Sequence, residues 1–88
     1  MNKERRKRIK DANKRLDEII VLLNNYRDII DDVKIEEEIA FDNLPEGFQE
    51  GLRGMEMQEA IDTLDEALDN IDNMIEELGG FETDLINI

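Results

Sequence analysis

"FDNLPEGFQEGLRGMEM", residues 41–57, holds the only proline of this 88-residue chain and three of its five glycines. Helical patterning lies on both sides of it, so punctuation of this density reads as a chain reversal. Asn43 and Glu46 have the spacing of a capping box, and Pro45 stands near a first helical position. A short helical turn over about residues 44–52 is therefore expected. Gly47, Gly51 and Gly54 should keep that turn from merging with the helix that follows. Leu44 and Phe48 are expected to fold back and plug the closed end of the corner.

Upstream, Ile9, Ala12, Leu16, Ile19, Leu23, Tyr26, Ile30, Val33, Glu37, Ala40 and Leu44 recur at alternating spacings of three and four. Only Glu37 breaks the apolar rule. This is a heptad seam that asks for a partner helix. With no glycine or proline before residue 45, it predicts a long helix over about 4–41. Downstream, "AIDTLDE", "ALDNIDN" and "MIEELGG" follow one another over 60–80. Met57, Ala60, Leu64, Ala67, Ile71, Met74 and Leu78 form the seam, and Ile61, Leu68 and Ile75 widen it to the face of a bundle helix. Gly79-Gly80 has the chemistry of a helix C-cap. The second helix is thus expected over about 55–78, with 79–88 as an apolar C-terminal tail. The fold class is all-α: one domain over 1–88, an antiparallel αα-hairpin.

A two-helix hairpin has only one interface, and the first helix carries more apolar surface than one interface covers. At 100° per residue, "IIVLL" (19–23) goes all the way round a helix. A buried aliphatic side chain contributes roughly 1.5–3 kcal/mol, so several left in water would forfeit much of a small domain's stability. Self-association into a helical bundle, as a homodimer or homotetramer, is the expected resolution. The residues expected to carry it are Ile19, Ile20, Leu22, Leu23, Tyr26, Ile29 and Ile30. A helix over 4–41 also outruns one over 55–78. The basic stretch 3–17 would then be covered by the C-terminal tail, by a second subunit or by a partner.

Composition narrows the chemistry. There is no cysteine, histidine, tryptophan or serine, which removes thiolate and imidazole ligands, the usual general base and two common nucleophiles. Carboxylates remain. Glu38 with Asp42, or Asp69 with Asp72, has the spacing of paired acids on a metal-dependent nucleotide hydrolase helix. The acidic ladder 62, 65, 66, 69, 72, 76 and 77, however, lies opposite the apolar seam and reads as a solvated face. No catalytic, metal or cofactor site is expected. The net charge of −13 is divided unevenly. Residues 1–15 carry eight bases against Glu4 and Asp11, net +6. Residues 16–88 carry three bases against twenty-two acids, net −19. The basic block, Arg5, Arg6, Lys7 and Arg8 included, is expected to pair with acids such as Asp72, Glu76 and Glu77 rather than bind DNA. Arg5, Arg6 and Arg8 at one end and Asp65, Asp69 and Asp72 on the acidic helix form a candidate partner surface. "IIVLL" is too short for a signal peptide's apolar core or a membrane span, so a cytoplasmic protein is expected.

The stretch Glu37–Ala67 resembles small acidic helical-hairpin proteins of unknown function encoded by phages and prophages of Gram-positive bacteria. Those proteins are similar to one another in an "EE-x-A-[FY]-DNLPE-x-[LF]-Q" turn followed by "RG-x-x-MQEAID-x-L-x-x-A". Here Arg53-Gly54, Met57 and "EAID" (59–62) are in place, while Gly47 and Gly51 depart from the pattern. The resemblance implies a phage setting, the host cytoplasm and a helical hairpin, but no mechanism. The expected function is a non-catalytic oligomeric protein-binding module, directed at a host protein. Two alternatives stand beside it: an acidic DNA mimic that inhibits a host DNA-binding protein, and a small-ligand sponge binding between subunits.

Overall fold

The computed structural model describes residues 1–88. The chain is all-helical: α1 spans Lys3–Asp42, α2 Glu46–Gln49 and α3 Leu52–Ile86. α1 and α3 lie side by side and run in opposite directions, as Arg27 opposite Asp72 and Lys34 opposite Asp65 show. The result is a rod measuring 68 × 16 × 13 Å between Cα extremes. Its radius of gyration is 20.0 Å, where a compact 88-residue domain would have about 12 Å.

α1 begins where Asn2 caps it, the side-chain oxygen accepting from the Arg5 amide at 2.9 Å. It ends at Asn43, which is therefore a C-cap of α1 and not the start of a capping box. α2 begins without a side-chain cap at Pro45. Gln49 closes the corner instead. Its side-chain amide donates to the carbonyls of Phe41 and Leu44 at 3.2 and 3.3 Å, satisfying oxygens at the end of α1. Gly54 is required by close approach: a Cβ there would stand 2.1 Å from the Gln49 carbonyl oxygen. Leu44 is half-buried, but Phe48 points into solvent. The corner is tied by polar contacts to backbone, so Phe48 is not needed as a plug.

The second helix is longer than its sequence suggests. α3 runs through Gly79-Gly80 to Ile86, no glycine takes a positive φ, and the Thr83 hydroxyl donates back to the Gly79 carbonyl. A glycine inside a helix costs about 1 kcal/mol relative to alanine. Contacts with α1 offset this: Leu78 and Glu82 are half-buried in the seam, and Leu85 and Ile86 stand beside Ile9 and Lys10 at its edge. Residues 79–86 are thus not a separate tail but the last turns of α3. They lie along the N-terminal part of α1, where the Asn13 side chain donates to the Glu82 carbonyl at 3.4 Å. The expected overhang of 3–17 is shortened: Ile9, Asn13 and Leu16 are covered, while residues 1–8 at the start of the chain remain exposed.

The register also differs from the expected one. The α1 residues turned to α3 are Ile9, Asn13, Leu16, Ile20, Leu23, Arg27, Ile30, Lys34, Glu37 and Phe41, which are buried or half-buried. Ala12, Ile19, Tyr26, Val33 and Ala40 of the expected seam are exposed. On α3 the central stripe is Gly54, Met57, Ile61, Leu64, Leu68, Ile71, Ile75, Leu78 and Glu82. Ile61, Leu68 and Ile75 are seam residues rather than the widening of one, and Ala60 and Met74 lie exposed beside them.

If α3 is continuous, Gly79→Ala and Gly80→Ala should each stabilise the protein by about 0.5–1 kcal/mol, since a Cβ at either position meets nothing within 4 Å. A left-handed cap at these glycines would give the opposite sign. Gly54→Ala should destabilise by about 1–3 kcal/mol. Thermal melts followed by circular dichroism read all three.

Candidate interaction surface

The interior of the rod is thin. Ile61, Leu68 and Ile71 are its only buried large apolar side chains, all three belong to α3, and none is fully enclosed. The one buried residue of α1 is Asn13. The accessible surface is 6965 Å². A compact monomer of 10.3 kDa would expose about 5400 Å². The excess, roughly 1,600 Å², is mostly what a single helix–helix seam leaves uncovered.

That surface is sorted by chemistry. Arg27 forks onto Asp72 at 2.5 and 3.3 Å, and the Lys34 ammonium pairs with Asp65 and, one helical turn on, with Glu38 at 3.5 Å. Both bases lie in the seam with their heads reaching past its edge. Their stems cover apolar surface while the charges stay wet. Asp72 holds the Arg27 guanidinium above its ordinary pKa, by hydrogen bonding first and by charge second. Asp65 does the same for Lys34, its hydrogen bond outweighing the opposing desolvation. A raised basic pKa contributes stability that is fully present below the unfolded value and lost only as pH rises through the folded one. These pairs therefore do not change near neutral pH.

On the other edge, the same antiparallel register sets Ile19 level with Phe81, Tyr26 with Met74, Val33 with Ala67, and Ala40 with Ala60. In heptad terms these are the flanking g positions of both helices, which share one side of an antiparallel pair. Every one of these eight residues is apolar. Leu22 and Ile29 extend the strip around α1. Ile19, Tyr26, Ile29 and Leu22 are 50, 55, 61 and 66% exposed, and Phe81 is 55% exposed. One edge of the rod is charged and internally paired. The other is a continuous apolar strip with nothing against it.

The residues expected to carry self-association divide accordingly. Ile19, Leu22, Tyr26 and Ile29 lie on the open strip. Ile20, Leu23 and Ile30 do not: they are half-buried in the seam with α3, because α1 is turned to bring Arg27 and Lys34 within reach of α3. Val33, Met74 and Phe81 are additions to the strip. A signal for them existed in the sequence: two bases seven apart on α1 match two aspartates seven apart on α3, and this pairing rotates the apolar g positions outward.

The candidate partner surface is also revised. Asp65 and Asp72 are engaged by Lys34 and Arg27, while Asp69 is exposed and unpaired. Arg5, Arg6, Lys7 and Arg8 make no ion pair with Asp72, Glu76 or Glu77. Those acids lie about four turns or more along the rod, level with the middle of α1, and the basic block stands beside Leu85, Ile86 and Ile88. No three carboxylates converge at metal-binding spacing, and no helix is long and apolar enough to cross a membrane. The chain matches no protein-family model, no curated protein and no solved structure.

Near the open end of the rod, Glu82 occupies a seam position with one carboxylate oxygen buried and without a partner. Its pKa is raised, first because the facing Asp17 carboxyl favours the protonated, hydrogen-bonding form, then by desolvation and by the Asp17 charge. A raised carboxyl pKa means that the folded state holds a proton longer than the unfolded one. This site therefore stabilises at acid pH, and its contribution is lost as pH rises through the folded value. Glu82→Gln keeps the shape and removes one of two facing charges. It should raise the melting temperature at pH 7.5 more than at pH 4.5. A larger gain at pH 4.5 would contradict this account.

Proposed function

We propose that the chain is a non-catalytic protein-binding module that works as a homo-oligomer of helical hairpins, dimer or tetramer. The observation that carries this reading is the unpartnered apolar strip from Ile19 to Val33 on α1, continued by Met74 and Phe81 on α3. A stable single-chain protein seldom leaves so long an apolar surface wet, and contiguous patches of this kind mark association sites. The absence of imidazole, thiol and serine hydroxyl groups from the sequence supports a binding role over a catalytic one. A phage or prophage setting, and with it a host protein as the eventual target, rests on the resemblance over residues 37–67.

A second reading has an observation of its own. Asp62, Glu66, Asp69 and Glu76 are exposed along α3 and make no ion pair, a spaced row of carboxylates that suits a basic host surface such as a DNA-binding site. Competition between the protein and duplex DNA for a captured host target distinguishes a DNA mimic from a partner bound elsewhere.

Light scattering after size exclusion tests oligomerisation. At micromolar concentration the wild type should have the mass of two or four chains. Leu22→Glu or Ile29→Glu should reduce that mass to one chain while the rod stays helical, since either would bury an unpaired charge at the interface. A fully helical monomer of the wild type would refute the oligomeric reading.

A further inference from the structure

We propose that the occupant of the apolar strip is a second copy of this chain, laid antiparallel across it about a two-fold axis at Tyr26, with Arg15 of each copy against Glu36 of the other. The proposal rests on the oligomeric reading above and adds an orientation and a register to it.

The outer strip of α1 is a second heptad seam, and its chemistry is the same read in either direction. Counting outward from Tyr26, one meets Leu22 or Ile29, then Ile19 or Val33, then Arg15 or Glu36, then Ala12 or Ala40. All nine positions are exposed. A two-fold axis at Tyr26 sets each residue of one copy against its counterpart in the other: aliphatic on aliphatic, β-branched on β-branched, small on small. The single mismatch is one of sign, Arg15 against Glu36, and it makes the pairing attractive. A two-fold interface demands this kind of self-complementarity. Parallel packing would instead set Arg15 against Arg15 and Glu36 against Glu36.

Charge along the whole rod selects the same orientation. The corner end, residues 36–59, carries eight acids against Arg53, net −7. The open end carries the net +6 of residues 1–15, less Glu82 and Asp84 on the adjoining end of α3, net +4. Antiparallel packing lays each positive end beside a negative one. It brings the basic block, which has no carboxylate partner on α3, next to the stretch containing Asp42, Glu46 and Glu50 of the second copy. Parallel packing would stack like on like.

The area is sufficient. From Ala12 to Ala40 the strip is about 42 Å long at 1.5 Å per residue, and the rod is 16 Å across its broader face. The contact would remove roughly 700 Å² per copy, close to the roughly 800 Å² of an ordinary stable interface. α3 adds only its apolar edge, because Thr63, Asn70 and Glu77, one turn further round, are polar. The contact is therefore centred on α1 against α1.

The chain has no cysteine, so single spin labels report the geometry directly. Asp11→Cys and Asn25→Cys are exposed positions beside the strip. The antiparallel arrangement predicts a separation of about 45 Å along the rod between labels at 11 in the two copies, thirty residues apart in register. It places the labels at 25 within about 20 Å of each other, one helix-pair width. Short distances at both positions would overturn the orientation yet leave the oligomer standing. A monomer by light scattering would remove both readings. Charge reversal tests the register. Arg15→Glu and Glu36→Arg should each weaken the dimer about threefold to thirtyfold, for two rim pairs lost per dimer, and the double variant should restore it. A double variant as weak as either single one would overturn the Arg15–Glu36 register. Circular dichroism of each variant confirms that the helices persist.

Discussion

Arg27 and Lys34 lie in the seam between α1 and α3, and the rest of the structure depends on where their charges go. A cationic head at such a position cannot stay among aliphatic side chains, so it extends to the edge of the interface and meets an acid there. Asp72 and Asp65 are spaced by the same heptad as the two bases. The two pairs therefore set both the sliding register of the helices and the rotation of α1 about its axis. Exposed ion pairs of this sort contribute little individually. Their effect here is on specificity, since this rotation of α1 is the one that brings both bases within reach of the two aspartates.

That rotation sorts the surface. With Asn13, Ile20, Arg27, Lys34 and Phe41 turned inward, the neighbouring Ala12, Ile19, Tyr26, Val33 and Ala40 face outward. α3 carries its own apolar edge on the same side. Two helices thus leave their polar groups paired along one edge and their surplus apolar groups in a strip along the other. Three buried apolar residues in 88 are too few for a self-sufficient core, and the strip is the natural place for further burial. The corner works independently of this. Gln49 and Gly54 hold the reversal by hydrogen bonding and close backbone approach, which leaves Phe48 free at the surface.

The open end of the rod shows a different compromise. Asn13, Asp17 and Glu82 introduce polar groups where α1 meets the last turns of α3. The seam there is held by an amide-to-carbonyl bond and weakened by two facing carboxyls. The same end carries the basic block, which makes no ion pair on its own chain. Charge is therefore separated along the rod, positive at the chain ends and negative at the corner, and this polarity gives an associating copy a preferred direction.

Much of the architecture was legible from local pattern. The absence of glycine and proline before residue 45 marked out α1 nearly to the residue, and the cluster at 45–54 marked the reversal. The apolar excess at 19–23 pointed to a surface that one interface could not cover. Three features were not legible. Gly79-Gly80 carries the chemistry of a helix stop, and only packing against the start of α1 makes continuation favourable. The roles of Gln49 and Phe48 depend on which groups the folded corner brings together. The choice between Ile19, Tyr26 and Val33 or Ile20, Arg27 and Lys34 as the inward set could not be made by hydrophobicity, which favours the former. By itself the sequence determined that α1 carries two overlapping heptad stripes sharing Leu16, Leu23 and Ile30. Tertiary structure decided which stripe faces inward, because only the folded pair brings Asp65 and Asp72 within reach of the two bases.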